Sequence, residues 1–167
     1  MLPRGGKICE LRESQNLPDE SKLQQPAVGE PYKVAFTTRF PAEVEAIAPV
    51  VERVMEIARQ LKFPDEKEAE IGLALQEALA NAVKHGCKND PNLTVQCTVA
   101  TEPSGGMVIV VRDSGPGFDP GKVPNPKEEE NIFSDHGRGI FMINQLMDEV
   151  RFERGGTELH MRKSNKP

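Results

Sequence analysis

Polar side chains interrupt an otherwise apolar stretch, LQEALANAVKHG, between Leu75 and Gly86. Glu77 and Asn81 stand four residues apart, and Lys84 and His85 follow one turn later. At about 100° per residue, these four share one face of a helix. A carboxylate beside a carboxamide can serve as proton acceptor and as a hard oxygen ligand for Mg²⁺. The same stripe also fits the solvated side of a half-buried helix. The flanking Ala and Leu residues are small or apolar, which would let another molecule approach closely.

Two further segments have chemical potential. In RDSGPGFD, from Arg112 to Asp119, an aspartate ends an apolar run and Gly115 and Gly117 follow at alternate positions. Such a segment fits an ordinary turn. It also fits a carboxylate, Asp113, that accepts a hydrogen bond from an exocyclic amine while bare backbone approaches a flat ring. In DHGRGIFMI, from Asp135 to Ile143, Gly137 and Gly139 precede a helical pattern and Arg138 adds a positive charge. Free N–H groups at a helix start suit phosphate oxygens. A glycine-rich first turn without a ligand has the same pattern. Neither a GxxxxGK[ST] loop nor a strand–GxGxxG–helix unit is present. His85, His136 and His160 have no zinc-ligand spacing, and no serine elbow or Cys–His pair stands out. The KEEEN run at 127–131 reads as a solvated acidic patch.

The elements that must position these residues follow from periodicity. Residues 1–30 lack a sustained period and read as an extension, with a short helix around Ile8 to Ser14. YKVAFTTRF, from Tyr32 to Phe40, alternates as a strand does. A helix is predicted from Pro41 to Phe63, with Pro49 kinking or splitting it. A second is predicted from Pro64 and Asp65 to His85, ending on Gly86 as a left-handed C-terminal residue. LTVQCTVAT and GMVIVVRD form a hairpin across EPSGG. A lid or binding loop spans Ser114 to Asp135. A helix follows over 137–150, then a hairpin of EVRFER and TELHMRK turning at Gly155 and Gly156. Strands and helices do not alternate regularly. The expected fold is therefore an α/β (α+β) two-layer sandwich, with a mostly antiparallel or mixed sheet covered by helices on one face.

The chain has 167 residues, enough for one well-cored domain, here placed at 31–167. A formal net charge of −5 argues against a direct nucleic-acid partner. Three cysteines without CxxC spacing suit reduced thiols. No signal-like leader and no membrane-length apolar run is visible, so a cytoplasmic location is expected.

Taken in order, E-x-x-x-N on a helix, D-x-G-x-G after a strand, and G-x-G before a later helix resemble the GHKL ATPases, whose ATP site has the Bergerat fold. The strings EALANAVKHG, RDSGPGFD, GRGIFMINQLMDEV and GGTELHM look like the anti-sigma factor serine kinases of that superfamily. The resemblance runs from about Lys33 to Lys163. It implies a sheet facing helices with ATP between helices and lid. It implies Glu77 as general base and Asn81 as Mg²⁺ ligand. It implies Asp113 as acceptor of the adenine amine, with Gly115 and Gly117 shaping that pocket. Gly137, Arg138, Gly139 and Ile140 fall where lid and helix start meet the phosphates. Thr157 falls near adenine, and Lys84 and His85 at the ribose-phosphate side. Implied partners are a STAS-domain anti-anti-sigma factor as phosphate acceptor, an alternative sigma factor, and a second copy in a homodimer. A gyrase-type enzyme would need a transducer domain, for which the sequence leaves no length. A complete histidine kinase would need a phospho-accepting His, and 41–63 contains none. The competing reading is a regulatory module that binds ATP and acts by protein contacts alone.

Overall fold

The computed structural model describes residues 32–117 and 135–166. Five strands form one sheet: β1 (Lys33–Pro41), β2 (Thr94–Thr101), β3 (Met107–Asp113), β4 (Glu149–Glu153) and β5 (Glu158–Lys163). Their order is β1-β2-β3-β5-β4, and every pairing is antiparallel. The expectation left a mixed sheet open; among the described strands no parallel pair occurs. Three helices accompany the sheet: α1 (Ile47–Gln60), α2 (Asp65–Asn81) and α3 (Asp135–Leu146).

The strand alternation decides which side the helices cover. Val95, Cys97 and Val99 on β2 stand opposite Asp113, Val111 and Ile109 on β3. All of these except Asp113, together with Met107, Leu159 and Met161, join a core with Ile71, Ala74, Leu75, Ala78 and Leu79 of α2. Period two on the strands meets period 3.6 on the helix. Leu75 and Leu79 are wholly buried, each contributing about 1.5–3 kcal/mol by removing apolar surface from water. Ile71, Leu75, Leu79 and Ala82, spaced at helical period, are all buried.

Local departures have physical causes. Pro41 ends β1 rather than opening a helix, and a 3₁₀ turn at Val44–Ala46 comes before α1. Pro49 is the third residue of α1. Its missing N–H falls in the first turn, where no intrahelical partner exists, so it does not kink the helix. Gly86 is not the left-handed terminator that was expected. The positive-φ glycines are Gly105, Gly117, Gly155 and Gly156, and Gly86 closes a π-turn instead. The third helix stops at Leu146, because Glu149 and Val150 are already paired with β5. The β4–β5 turn falls at Arg154–Gly156, with all three residues at positive φ. The expected short helix near Ile8, most of the expected lid and the KEEEN run lie outside the described residues.

Candidate functional site

The C-terminal end of α2 widens from α into π geometry over Ala82–Gly86. The Cys87 N–H donates to the Ala82 carbonyl at 2.8 Å, a five-residue step that a regular helix does not make. Such turns displace side chains by a fraction of a turn and recur at functional sites. Here the π-turn carries Lys84, His85 and Gly86 toward the end of β3.

Asp113 is fixed there from several directions. Its N–H donates to the Thr157 carbonyl at 2.9 Å, and its Oδ1 accepts the Gly115 N–H at 2.8 Å. The next residue is pinned as well. The Ser114 N–H and Oγ both donate to the Thr94 carbonyl, at 3.1 and 3.0 Å. Gly86 and Gly115 exist to make room. A methyl group on Gly86 would stand 2.5 Å from the Asp113 carboxylate, and one on Gly115 would run into the Gly86 carbonyl. Burial pushes the Asp113 carboxyl above its ordinary range, and the Gly115 N–H partly offsets this by stabilising the anion. Among the described residues no donor reaches its other oxygen, Oδ2. A half-buried carboxylate with one oxygen uncommitted is an acceptor awaiting a donor.

That oxygen belongs to a concave site between α2, α3 and the sheet. The lining includes Asn81, His85, Asp113, Gly117, Ile140 and Thr157. Its apolar walls come from Ala78, Val111, Ile143 and Leu159, with Phe152 from β4. Gly117 adopts φ +81°, and a side chain there would collide with the Gly155 carbonyl and crowd Thr157. Thr157 Oγ1 donates to the Arg154 carbonyl at 2.9 Å, which fixes the turn. A largely apolar cavity with one carboxylate in its lining suits an aromatic ring bearing an amine.

Asn81 lines the same cavity, and Glu77 stands one helical turn before it. Glu77 does not line the cavity itself. It lies against Gly139 of α3, where an added methyl group would strike Glu77 Oε1 and come within 3.1 Å of Asn81 Nδ2. Glu77 and Asn81 are thus pressed onto the N-terminal half of α3, where the helix dipole favours anions. Gly137 is buried and Arg138 is exposed on the same helix, and Lys84 is exposed on the π-turn. Asn81 Oδ1 is a hard neutral oxygen of the type that holds Mg²⁺ together with phosphate oxygens, so the donors present fit that ion.

The structure therefore brings Asn81, His85, Asp113, Gly117, Ile140 and Thr157 around one cavity, and Glu77, Gly115 and Gly139 directly beside it. Lys84, Gly137 and Arg138 are nearby in sequence but do not line it. Gly86 and Gly156 were not singled out as site residues. The sequence signal for Gly86 was read as a helix stop, although its place against Asp113 is a matter of space. Phe152 gave no signal at all, because its role depends on β4 lying at the sheet edge beside β5.

Known proteins place this architecture. Residues 40–163 match the model of the histidine kinase-like ATPase domain. The chain is 32% identical over 108 residues to serine-protein kinase RsbW of Staphylococcus aureus strain JH9, a stretch that is 60% of this chain and 67% of that protein. The same figures hold for RsbW of strains Newman and USA300. The chain belongs to the histidine kinase-like ATPase family, in the branch of the RsbW-type serine-protein kinases.

Proposed function

We propose that this protein binds ATP with Mg²⁺ and transfers the γ-phosphoryl group to a serine or threonine of a STAS-domain anti-anti-sigma factor. The observation that carries the reading is a cavity lined by both Asn81 and the uncommitted Asp113 carboxylate, with Glu77 one helical turn from Asn81 and, like it, against Gly139. An adenine amine would donate to Asp113, with the ring between Ala78, Ile143 and Leu159. The phosphates would then extend toward Asn81 and the start of α3. Mg²⁺, when bound, neutralises phosphate charge.

The chain's own residues do the rest. Asn81 orients the phosphate end. The backbone N–H groups at the start of α3 offer donors to phosphate oxygens. Glu77 accepts the proton of the incoming hydroxyl as its oxygen bonds to the γ-phosphorus and the bond to the β-bridging oxygen breaks. ADP leaves with that electron pair. Positioning and charge neutralisation supply most of the acceleration in such a reaction.

By the same likeness, the protein would hold an alternative sigma factor when its antagonist is phosphorylated, work as a homodimer and act in the cytoplasm. No helix among the described residues is long and apolar enough to cross a membrane. The decisive assay incubates the protein with γ-labelled ATP, Mg²⁺ and its STAS partner. Label on a partner hydroxyl is expected. Tight complex formation without label would replace the kinase reading with that of an ATP-binding module acting by contact alone.

A further inference from the structure

Glu158 opens β5 on the face of the sheet turned away from the cavity. Leu159 and Met161 of the same strand enter the core, and successive side chains on a strand alternate, so Glu158 and His160 face the other way. Glu158 is buried nevertheless, and its carboxylate collects three partners. Arg154 Nε lies 2.9 Å from Oε2, and Arg112 Nε lies 3.9 Å from the same oxygen. His160 Nε2 lies 2.8 Å from Oε1. Glu153 stands directly across on β4, so Glu153, Glu158 and His160 have the donor types of a metal site. Two guanidiniums already match the Glu158 charge, however, and a cation there would have to displace them. The carboxylate is placed to hold Arg154.

Arg154 needs such a partner. Arg154, Gly155 and Gly156 have φ of 52°, 64° and 85°. Glycine adopts this left-handed region readily, whereas a residue with a β-carbon is strained in it. Strained backbone persists only where its surroundings hold it. The Arg154 side chain is held by the buried carboxylate four residues on, and its carbonyl accepts Thr157 Oγ1 at 2.9 Å. Thr157 lines the cavity, and its own carbonyl accepts the Asp113 N–H at 2.9 Å. Glu158, Arg154, Thr157 and Asp113 therefore link one face of the sheet to the other.

We propose that Glu158 is a positioning residue for the nucleotide. By pinning the Arg154 guanidinium it holds the left-handed turn that sets Thr157 and, through Thr157, the end of β3 at Asp113. Without the pair, Arg154 relaxes toward negative φ and carries the Thr157 carbonyl away from the Asp113 N–H. The Asp113 carboxylate then no longer meets its donor in the cavity. The inference rests on the reading of Asp113 as acceptor of the adenine amine.

Alanine and glycine at position 154 separate this role from a general effect of charge or stability. Both remove the ion pair, but only glycine keeps the turn without strain. E158Q and R154A are expected to weaken ATP binding at least fivefold in calorimetric titrations with Mg²⁺. R154G is expected to bind within twofold of wild type, and adding R154G to E158Q should restore affinity to that range. Hydrogen exchange of the empty protein reads the turn with no nucleotide present. The Asp113 amide should exchange at least fivefold faster in E158Q and R154A but not in R154G, while the Ile71 amide of α2 keeps its rate in all three. Equal weakening by R154A and R154G, or wild-type affinity in both R154A and E158Q, would overturn the proposal. D113N distinguishes its failure from that of the adenine reading. If D113N weakens ATP binding and E158Q does not, the positioning role alone fails. If D113N binds ATP as wild type does, the adenine reading fails, and the proposal with it, whatever the Asp113 amide reports.

Discussion

Gly139 on α3 lies directly against the Glu77 carboxylate of α2, at a separation that no β-carbon could occupy. The contact joins the glycine-rich start of one helix to the polar stripe of the other. Alanine would favour the helix by up to about 1 kcal/mol, so propensity alone would make Gly139→Ala stabilising. The collision works against this, because Glu77 must rotate away or α3 must withdraw from Asn81. Gly139→Ala is expected to lower phosphoryl transfer at least tenfold while the thermal midpoint changes little. Single-turnover transfer alongside a melting curve checks both halves. An unchanged rate would mean that Glu77 has room to spare.

Glu77→Gln separates binding from chemistry. Gln keeps the size and the contact with Gly139 but cannot take a proton at neutral pH. General-base catalysis contributes about 10²–10⁴ in rate, and a loss of that order is expected. Nucleotide affinity should stay within about threefold, because Glu77 stands beside the cavity rather than in its lining. Titration calorimetry and labelled transfer make the comparison. Equal losses in both would recast Glu77 as a binding group.

Much of this site could be read from residue order, because its chemistry is local. Glu77 and Asn81 are one helical turn apart, and Asp113, Gly115 and Gly117 follow one strand end, so short spacing carried the information. The strands at 94–101 and 107–113 were legible as short β-branched runs bounded by turn residues, whereas their register comes only with the fold. What depended on distant packing was not legible. Gly86 has the same composition whether it ends a helix or yields space to Asp113, and only the arrival of β3 decides between them. Pro49 looked like a break because its place in the first turn of α1 depends on where the 3₁₀ turn before it ends. Lys84 and Arg138 share short spacings with true lining residues, yet the π-turn and the start of α3 leave both exposed.

Asp113→Asn is expected to trade affinity for stability. Burial raises the Asp113 carboxyl in the folded protein. As pH rises, the unfolded chain loses this proton first, at the ordinary carboxylate range, and the folded chain loses it later. Stability therefore falls across that window and stays lowered above it. Asn removes the ionisation, so empty Asp113→Asn should melt above wild type at neutral pH, with the difference vanishing as pH drops below the carboxylate range. Its affinity for ATP should fall at least tenfold, as a hydrogen bond to a charged acceptor is worth about 1.5–3 kcal/mol. Melting curves of the empty protein at several pH values, paired with nucleotide titrations, test the trade. A lower midpoint at neutral pH would contradict it.

The two glycines around Asp113 should respond differently to the same substitution. A methyl group on Gly115 meets the Gly86 carbonyl, which is backbone, whereas one on Gly86 meets the Asp113 side chain. Backbone cannot rotate aside, so Gly115→Ala must part the π-turn from the end of β3, at a cost of about 1–3 kcal/mol typical of overpacking. Gly86→Ala can be relieved by turning the Asp113 carboxylate, which costs ATP affinity more than stability. Denaturant midpoints should rank Gly115→Ala below Gly86→Ala. The reverse ranking would show that the turn following β3 yields more readily than the Asp113 rotamer.

Lys163 ties the far side of the fold together without touching the site. Its ammonium is buried, donates to the Leu146 carbonyl at 2.7 Å, and pairs with Glu70 at 2.6 Å and Asp148 at 3.6 Å. One group thus joins α2, the end of α3 and β5. Breaking a wholly buried pair costs about 3–5 kcal/mol, but here the acids are partly solvated, with Glu70 at 30% and Asp148 at 41% side-chain exposure. Lys163→Met keeps the stem's packing and frees both carboxylates to water, so a smaller loss of about 2 kcal/mol is expected from the same principle. The end of α3 should loosen, while its beginning, held by Gly139 against Glu77, keeps its place. Urea unfolding should report the loss, and the folded fraction should bind ATP with wild-type affinity. A drop in intrinsic affinity at full folding would show that the anchor at the end of α3 governs the phosphate end of the cavity as well.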